Sequence, residues 1–192
     1  MPKLPMGDIG PCVVIWDFGG GDGEMHIGPY LGTVSLRATD SISDVQEEGY
    51  GDAPVDAVFA GTVFELDVPM ARSELVHLDH MLTYERSAGA WTSSLSGKVL
   101  TLKNMAGCDM YMYAKQIVIA PICNNVYNSD PSTWILLYKC HPYRDFELTW
   151  DRSGQRVHMV KFKVFPNQDS TYCGEYGTWG MESDSTIIEG IC

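Results

Sequence analysis

An apolar period of two runs through most of this chain, and an apolar period of 3.6 is nearly missing. Val34, Leu36 and Ala38 alternate with Ser35, Arg37 and Thr39; Phe64, Leu66 and Val68 alternate with Val63, Glu65 and Asp67. Successive strand side chains point to opposite faces, so such stretches suit sheets with one covered face. Val157, Met159, Phe162 and Val164 lie in a run of strand formers. Further strands are expected at Pro11 to Asp17, Ser43 to Glu47, Lys98 to Leu102, Met110 to Ala120, Trp134 to Cys140 and Phe146 to Trp150. Gly19-Gly20-Gly21-Asp22-Gly23, Ala88-Gly89, Asn128-Ser129-Asp130-Pro131 and Ser153-Gly154 read as turns.

One segment departs from this pattern. Leu75, Leu78, Met81 and Leu82 fall on one helical stripe, Pro69 suits an N-terminal turn, and Gly89 stops anything beyond. The spacing predicts a helix from Ala71 to Leu82, packed on the sheet by Leu75, Leu78 and Met81. Many short strands with a single helix imply an all-β fold, a β-sandwich or β-barrel.

At 192 residues the chain is long enough for one domain with its own core. The expected division is an N-terminal arm and Gly-rich loop over 1–29, a β domain over 30–169, and a C-terminal arm over 170–192. The longest apolar runs, such as Ile117 to Cys123, are too short to span a membrane as a helix. Met1-Pro2-Lys3-Leu4-Pro5 is not followed by an apolar stretch, so no secretory leader is expected. The six cysteines, Cys12, Cys108, Cys123, Cys140, Cys173 and Cys192, show no C-x-x-C spacing and read as reduced thiols.

The formal net charge is -12, and it is unevenly placed. Residues 1 to 71 hold twelve acids against Lys3 and Arg37; residues 72 to 192 are nearly balanced. Proteins that grip nucleic acid or anionic membranes need a basic footprint, so both partners are disfavoured. An acidic surface serves solubility, or repels a polyanion.

No catalytic constellation stands out. The glycines at 19 to 23 lack a G-K-[ST] and lead into no helix, and Asp22 and Glu24 would repel phosphate. His77 and His80 share a helical face but form no H-E-x-x-H. Cys140 and His141 are adjacent, which in a strand sends them to opposite faces. Trp134, Trp150 and Trp179 suit a core better than a sugar site. No catalytic, cofactor-binding or metal-binding residues are therefore assigned, and no cofactor is expected.

Two segments resemble a known family. Residues 45 to 71 run from Val45-Gln46-Glu47-Glu48-Gly49-Tyr50-Gly51-Asp52 through Pro54-Val55-Asp56-Ala57-Val58 and Gly61 to Val68-Pro69-Met70-Ala71. This resembles the major tail tube proteins of long-tailed, siphovirus-like bacteriophages. In those, a loop ending in P-x-D-x-V-x-x-G precedes a strand ending in V-P-L-A and then a single helix; Met70 replaces the Leu. Gln155 to Asp169, with Phe165-Pro166 and the later Gly174 and Gly177, is similar to the family's late strand, turn and tail. The likeness covers about residues 30 to 177, with Ile117 to Pro121 and Trp134 to Lys139 as central strands.

The resemblance implies a virion structural protein and not an enzyme. It would be made in the host cytoplasm and built into the tail as stacked homohexameric rings. Its partners would be further copies of itself, the tape measure protein and the tail terminator. DNA would pass through an acidic lumen during ejection without specific binding. Glu65 and Asp67, opposite the apolar face of their strand, are the expected lumen acids, with Asp40 and Asp44 beside them. Ser43 to Val58 is expected to be an extended loop docking on the next ring through Glu48, Gly49, Tyr50, Gly51, Asp52, Pro54, Val55 and Val58. Two other readings stay open: a related virion part such as a terminator or distal tail protein, and a small β-sandwich hydrolase or binding module.

Overall fold

The structure, a computed structural model, describes residues 11–19, 24–27, 32–46, 54–70, 106–107, 109–123, 126–127, 130–143, 145, 158–169 and 174–180. Among these the fold is all-β. The strands are β1 (Cys12–Trp16), β2 (Met25–Ile27), β3 (Ser35–Gln46), β4 (Pro54–Met70), β5 (Lys115–Cys123), β6 (Val126–Tyr127), β7 (Ile135–Tyr143), β8 (His158–Phe165) and β9 (Gly177–Trp179). Two single 3-10 turns, Tyr111–Tyr113 and Pro131–Thr133, lead into β5 and β7. The Asp130 carboxylate caps the second, accepting from the Ser132 N–H at 3.0 Å.

All pairings are antiparallel, in the order β2-β1-β5-β7-β8-β4-β3, with β6 added beside β5 and β9 beside β7. The sheet curls strongly. Trp16 on β1 and Phe162 on β8 lie three strand positions apart, about 14 Å on a flat sheet, yet their ring centroids are 5.4 Å apart. The concave face encloses one core: Val14 and Trp16, Met25 and Ile27, Leu66, Val68 and Met70, Ile117 and Ile119, Leu137 and Cys140, and Val160, Phe162 and Val164. A second buried cluster, Ile15, Val118, Ala120, Trp134, Leu136 and Tyr138, occupies the other side of β1, β5 and β7. Buried on both faces, these central strands read as continuous apolar runs rather than alternation.

Strand prolines mark where ladders end. Pro121 pairs with Cys12 on β1, two residues past the last β5–β7 pair. Pro142 pairs with Phe162 on β8, beyond the end of the β5–β7 ladder. Pro69 pairs with Met159 on β8, beyond the start of β3. Proline has no N–H to give, so it fits where one side of the strand asks for none.

An ion pair fastens the end of β1 to the start of β5. The Lys115 ammonium donates to both Asp17 oxygens at 2.9 and 2.8 Å, and the side chains are only 16% and 8% exposed. Asp17 takes φ 54°, the left-handed region in which aspartate is among the better tolerated residues.

Several expectations change. Pro69 and Met70, read as the entry to a helix, are the last residues of β4; Ala71 to Leu82, with Leu75, Leu78 and Met81, lies outside the described residues. The two strands expected at 34–39 and 43–47 form one, β3. Ser43 to Val58 is not a continuous loop, since 43–46 and 54–58 pair with one another. The first 29 residues supply β1 and β2, and Gly177–Trp179, in the stretch read as a C-terminal arm, pair with β7. Trp16 and Trp134 are buried, whereas Trp179 is 70% exposed. The expected strands at Lys98 to Leu102 and Phe146 to Trp150 lie outside the described residues, as does Trp150.

Candidate assembly surface

β8 accompanies β4 only from Phe64 to Met70, while β3 stays with β4 down to Pro54. Below Phe64 the sheet therefore narrows to two strands among the described residues, a ribbon of residues 39–46 and 54–63 that runs on for about 30 Å at strand rise. Among the described residues, no third strand pairs with either edge of it.

Most of its described side chains are exposed. Ile42 and Phe59 sit directly opposite in register and are 57% and 73% exposed; Val45, Val58 and Val63 are exposed as well. An isolated two-stranded ribbon is at best marginally stable in water, and unpaired edges with apolar side chains invite pairing. Charge points the same way. From Ala38 to Val63 the chain carries Asp40, Asp44, Glu47, Glu48, Asp52 and Asp56, and no Lys or Arg. Two ribbons laid side by side would repel, so a partner of this surface is neutral or cationic.

A bulge divides the ribbon from the sheet body. Ser41 pairs with Gly61 but Ile42 with Phe59, leaving Ala60 over. Gly61 takes φ 154°, a backbone state open to glycine and rarely to other residues. Just above, Thr62 is tied on two sides: its hydroxyl donates to Asp40 Oδ1 at 2.7 Å, and its carbonyl accepts from the Tyr176 hydroxyl at 2.7 Å.

The four acids expected to line one wall divide between two faces. Register places Arg37 opposite Glu65 and Leu36 opposite Leu66, so Glu65 and Asp67 lie on the face away from the core. Asp40 and Asp44 have the parity of Leu36 and continue the core-side face. The acidic face is also matched by cations. Glu65 pairs in register with Lys163, and Asp67 with Lys161. Lys161 donates to Asp145, which raises its pKa. Tyr143, in register with Lys161, is pushed up by burial and by the Glu65 carboxylate. The charge around Glu65 and Asp67 is thus mixed, whereas the described ribbon strands carry acids and no Lys or Arg of their own. Of the expected inter-ring residues, Val58 stands exposed on the ribbon and Pro54 and Val55 lie in β4; Glu48, Gly49, Tyr50, Gly51 and Asp52 lie outside the described residues.

Among the described residues no group of three or more His, Cys, Asp or Glu is placed to hold a metal ion, and no helix is long and apolar enough to cross a membrane. His77 and His80 lie outside the described residues. Cys140 is fully buried, and burial raises its thiol well above the ordinary range, which disfavours the nucleophilic thiolate. His141 is buried too, and burial lowers it to about 4.

Ile42, Phe59, Thr62 and Tyr176 do not stand out by sequence pattern. The one signal in the residues is a run of 26, from 38 to 63, with six acids, no base and several β-branched or aromatic side chains. No protein-family model matches the chain, and no curated protein matches it.

Proposed function

We propose that this chain is a structural subunit of a bacteriophage tail tube. Copies assemble into stacked hexameric rings around a channel through which DNA passes. The observation that carries the reading is the ribbon: two strands with no further strand paired to them among the described residues, exposed Ile42 and Phe59, and charge of a single sign. Such an element can gain its cover from a neighbouring copy's surface other than its acidic ribbon, and an assembly of identical subunits is one way to hide exposed edges. The phrase that carries the family resemblance, residues 45 to 71, takes in the last two residues of β3 and the whole of β4.

The acids fit a conduit for a polyanion, with a change of emphasis. Asp40, Asp44 and Asp56 sit on an element free of cations, whereas Glu65 and Asp67 face Lys161 and Lys163. Channel acidity in this reading comes chiefly from the ribbon, repeated in every subunit.

Electron microscopy of the purified full chain over rising concentration tests the proposal. Rings or tubes with a through-channel are expected. A protein that stays monomeric throughout, including on addition of preformed tail assembly intermediates, would overturn it.

A further inference from the structure

We infer that Tyr176 latches the hinge of the ribbon, so that the C-terminal strap carrying β9 sets the angle at which the ribbon is presented. The inference rests on geometry and stands apart from the tail-tube reading.

The hinge is local. Above it β4 is held by strands on both sides; below it, among the described residues, β4 keeps β3 alone. At the boundary sit the bulge that leaves Ala60 unpaired and Gly61 at φ 154°. A bulge bends and twists a strand, and this glycine frees the backbone where the third strand stops.

The latch reaches this spot from the far end of the chain. The Tyr176 hydroxyl donates to the Thr62 carbonyl, one residue from Gly61, at 2.7 Å. Its ring lies 4.7 Å from Phe64, in the last row shared with β8. Tyr176 thus occupies the β4 edge where β8 has run out, and satisfies a carbonyl there with a side chain.

Apart from the Tyr176 hydroxyl, the described hydrogen bonds of the strap go to the body. The Tyr138 N–H donates to the Tyr176 carbonyl at 3.0 Å, and the Gly180 N–H to the Trp134 carbonyl at 2.7 Å. The Asn167 N–H donates to the Glu175 carbonyl at 2.8 Å, and the Gly174 N–H returns to the Asn167 carbonyl at 3.0 Å. Gly177 lies so close to β7 that a Cβ there would stand 2.1 Å from the Leu136 carbonyl oxygen. The strap is therefore pressed onto β7, and Tyr176 is its one described hydrogen bond to the hinge.

A latch on a hinge couples two places. Holding the ribbon at the latched angle favours the seated strap, and lifting the strap releases the ribbon, by the same free energy. The C-terminal segment is in this way a control point for the surface that the ribbon offers.

Amide hydrogen exchange on the full chain tests this, comparing the wild type with Tyr176→Phe at equal concentration. The substitution keeps the ring beside Phe64 and removes only the hydroxyl. Exchange in 39–46 and 54–61 is expected to quicken roughly fivefold, the scale of one lost hydrogen bond, while 64–70 and 158–165 stay as they were. Unchanged exchange in the ribbon would overturn the latch. A uniform increase across the sheet would overturn it too, by making Tyr176 a contributor to global stability alone.

Discussion

The Thr62 hydroxyl donates a 2.7 Å hydrogen bond to the Asp40 carboxylate across the β3–β4 pair, in the row just above the bulge. Asp40, which the tail-tube resemblance makes a candidate for a channel wall, is in this structure a brace for the root of the ribbon. Thr62→Val keeps the β-branched shape and removes the donor. It should destabilise the protein by about 1 kcal/mol, as for a typical hydrogen bond whose acceptor returns to water. Urea unfolding measures this, and a loss below about 0.3 kcal/mol would remove the brace from the account.

Asp17 and Lys115 form the least exposed ion pair described in the structure. Asp17→Asn keeps a residue that tolerates positive φ but leaves the ammonium with no counter-charge. A loss of about 3 kcal/mol is expected, since breaking a buried pair strands a charge. Adding Lys115→Met should recover much of that loss. A double-mutant cycle reads the coupling, and additivity of the two changes would count against it.

Ile42→Ser with Phe59→Ser should leave the unfolding midpoint within about 0.5 kcal/mol of the parent, because both side chains are exposed in the free chain. The same pair of changes should abolish higher assembly seen by light scattering or microscopy. Normal assembly would show that another surface carries it.

His141 predicts a pH dependence of stability. Folded, its pKa is about 4, lowered from 6.5 by burial. Unfolded chains therefore bind its proton first as pH falls. The stability that depends on the neutral ring is fully present above 6.5, declines from there towards 4, and falls no further below that. The total is at most about 3 kcal/mol. Unfolding curves at pH 7.5, 6 and 5 should show the decline, and His141→Leu should flatten it relative to wild type.

What can be read from the residues depends on whether a strand is covered on one face, on both or on neither. Phe64 to Val68 alternates because the sheet is wet on one side there, and the alternation alone tells its two faces apart. Val118 to Ala120 and Leu136 to Tyr138 are covered on both sides, so apolar length rather than alternation betrays them. The ribbon is covered on neither face, and Gly49, Gly51 and Pro54 make its strands look like one loop. The cationic neighbours of Glu65 and Asp67 are hidden for another reason. Lys161 and Lys163 alternate visibly with Val160, Phe162 and Val164, but only the antiparallel register of β4 with β8 brings them opposite those acids. β9 is Gly-Thr-Trp, too short and too mixed to signal a strand.

The ribbon also orders events in time. Its two strands are joined within the chain by residues 47–53, so it can zip locally in about 1–10 μs. β1 must instead find β5, and β4 must find β8, each across about a hundred residues, and such distant closures are slow. A newly made chain therefore samples this sticky two-stranded edge, marginally stable by itself, before the body behind it has closed. Six carboxylates without a single cation hold such half-made chains apart during that interval, as gatekeeper charges do beside unavoidable apolar strands.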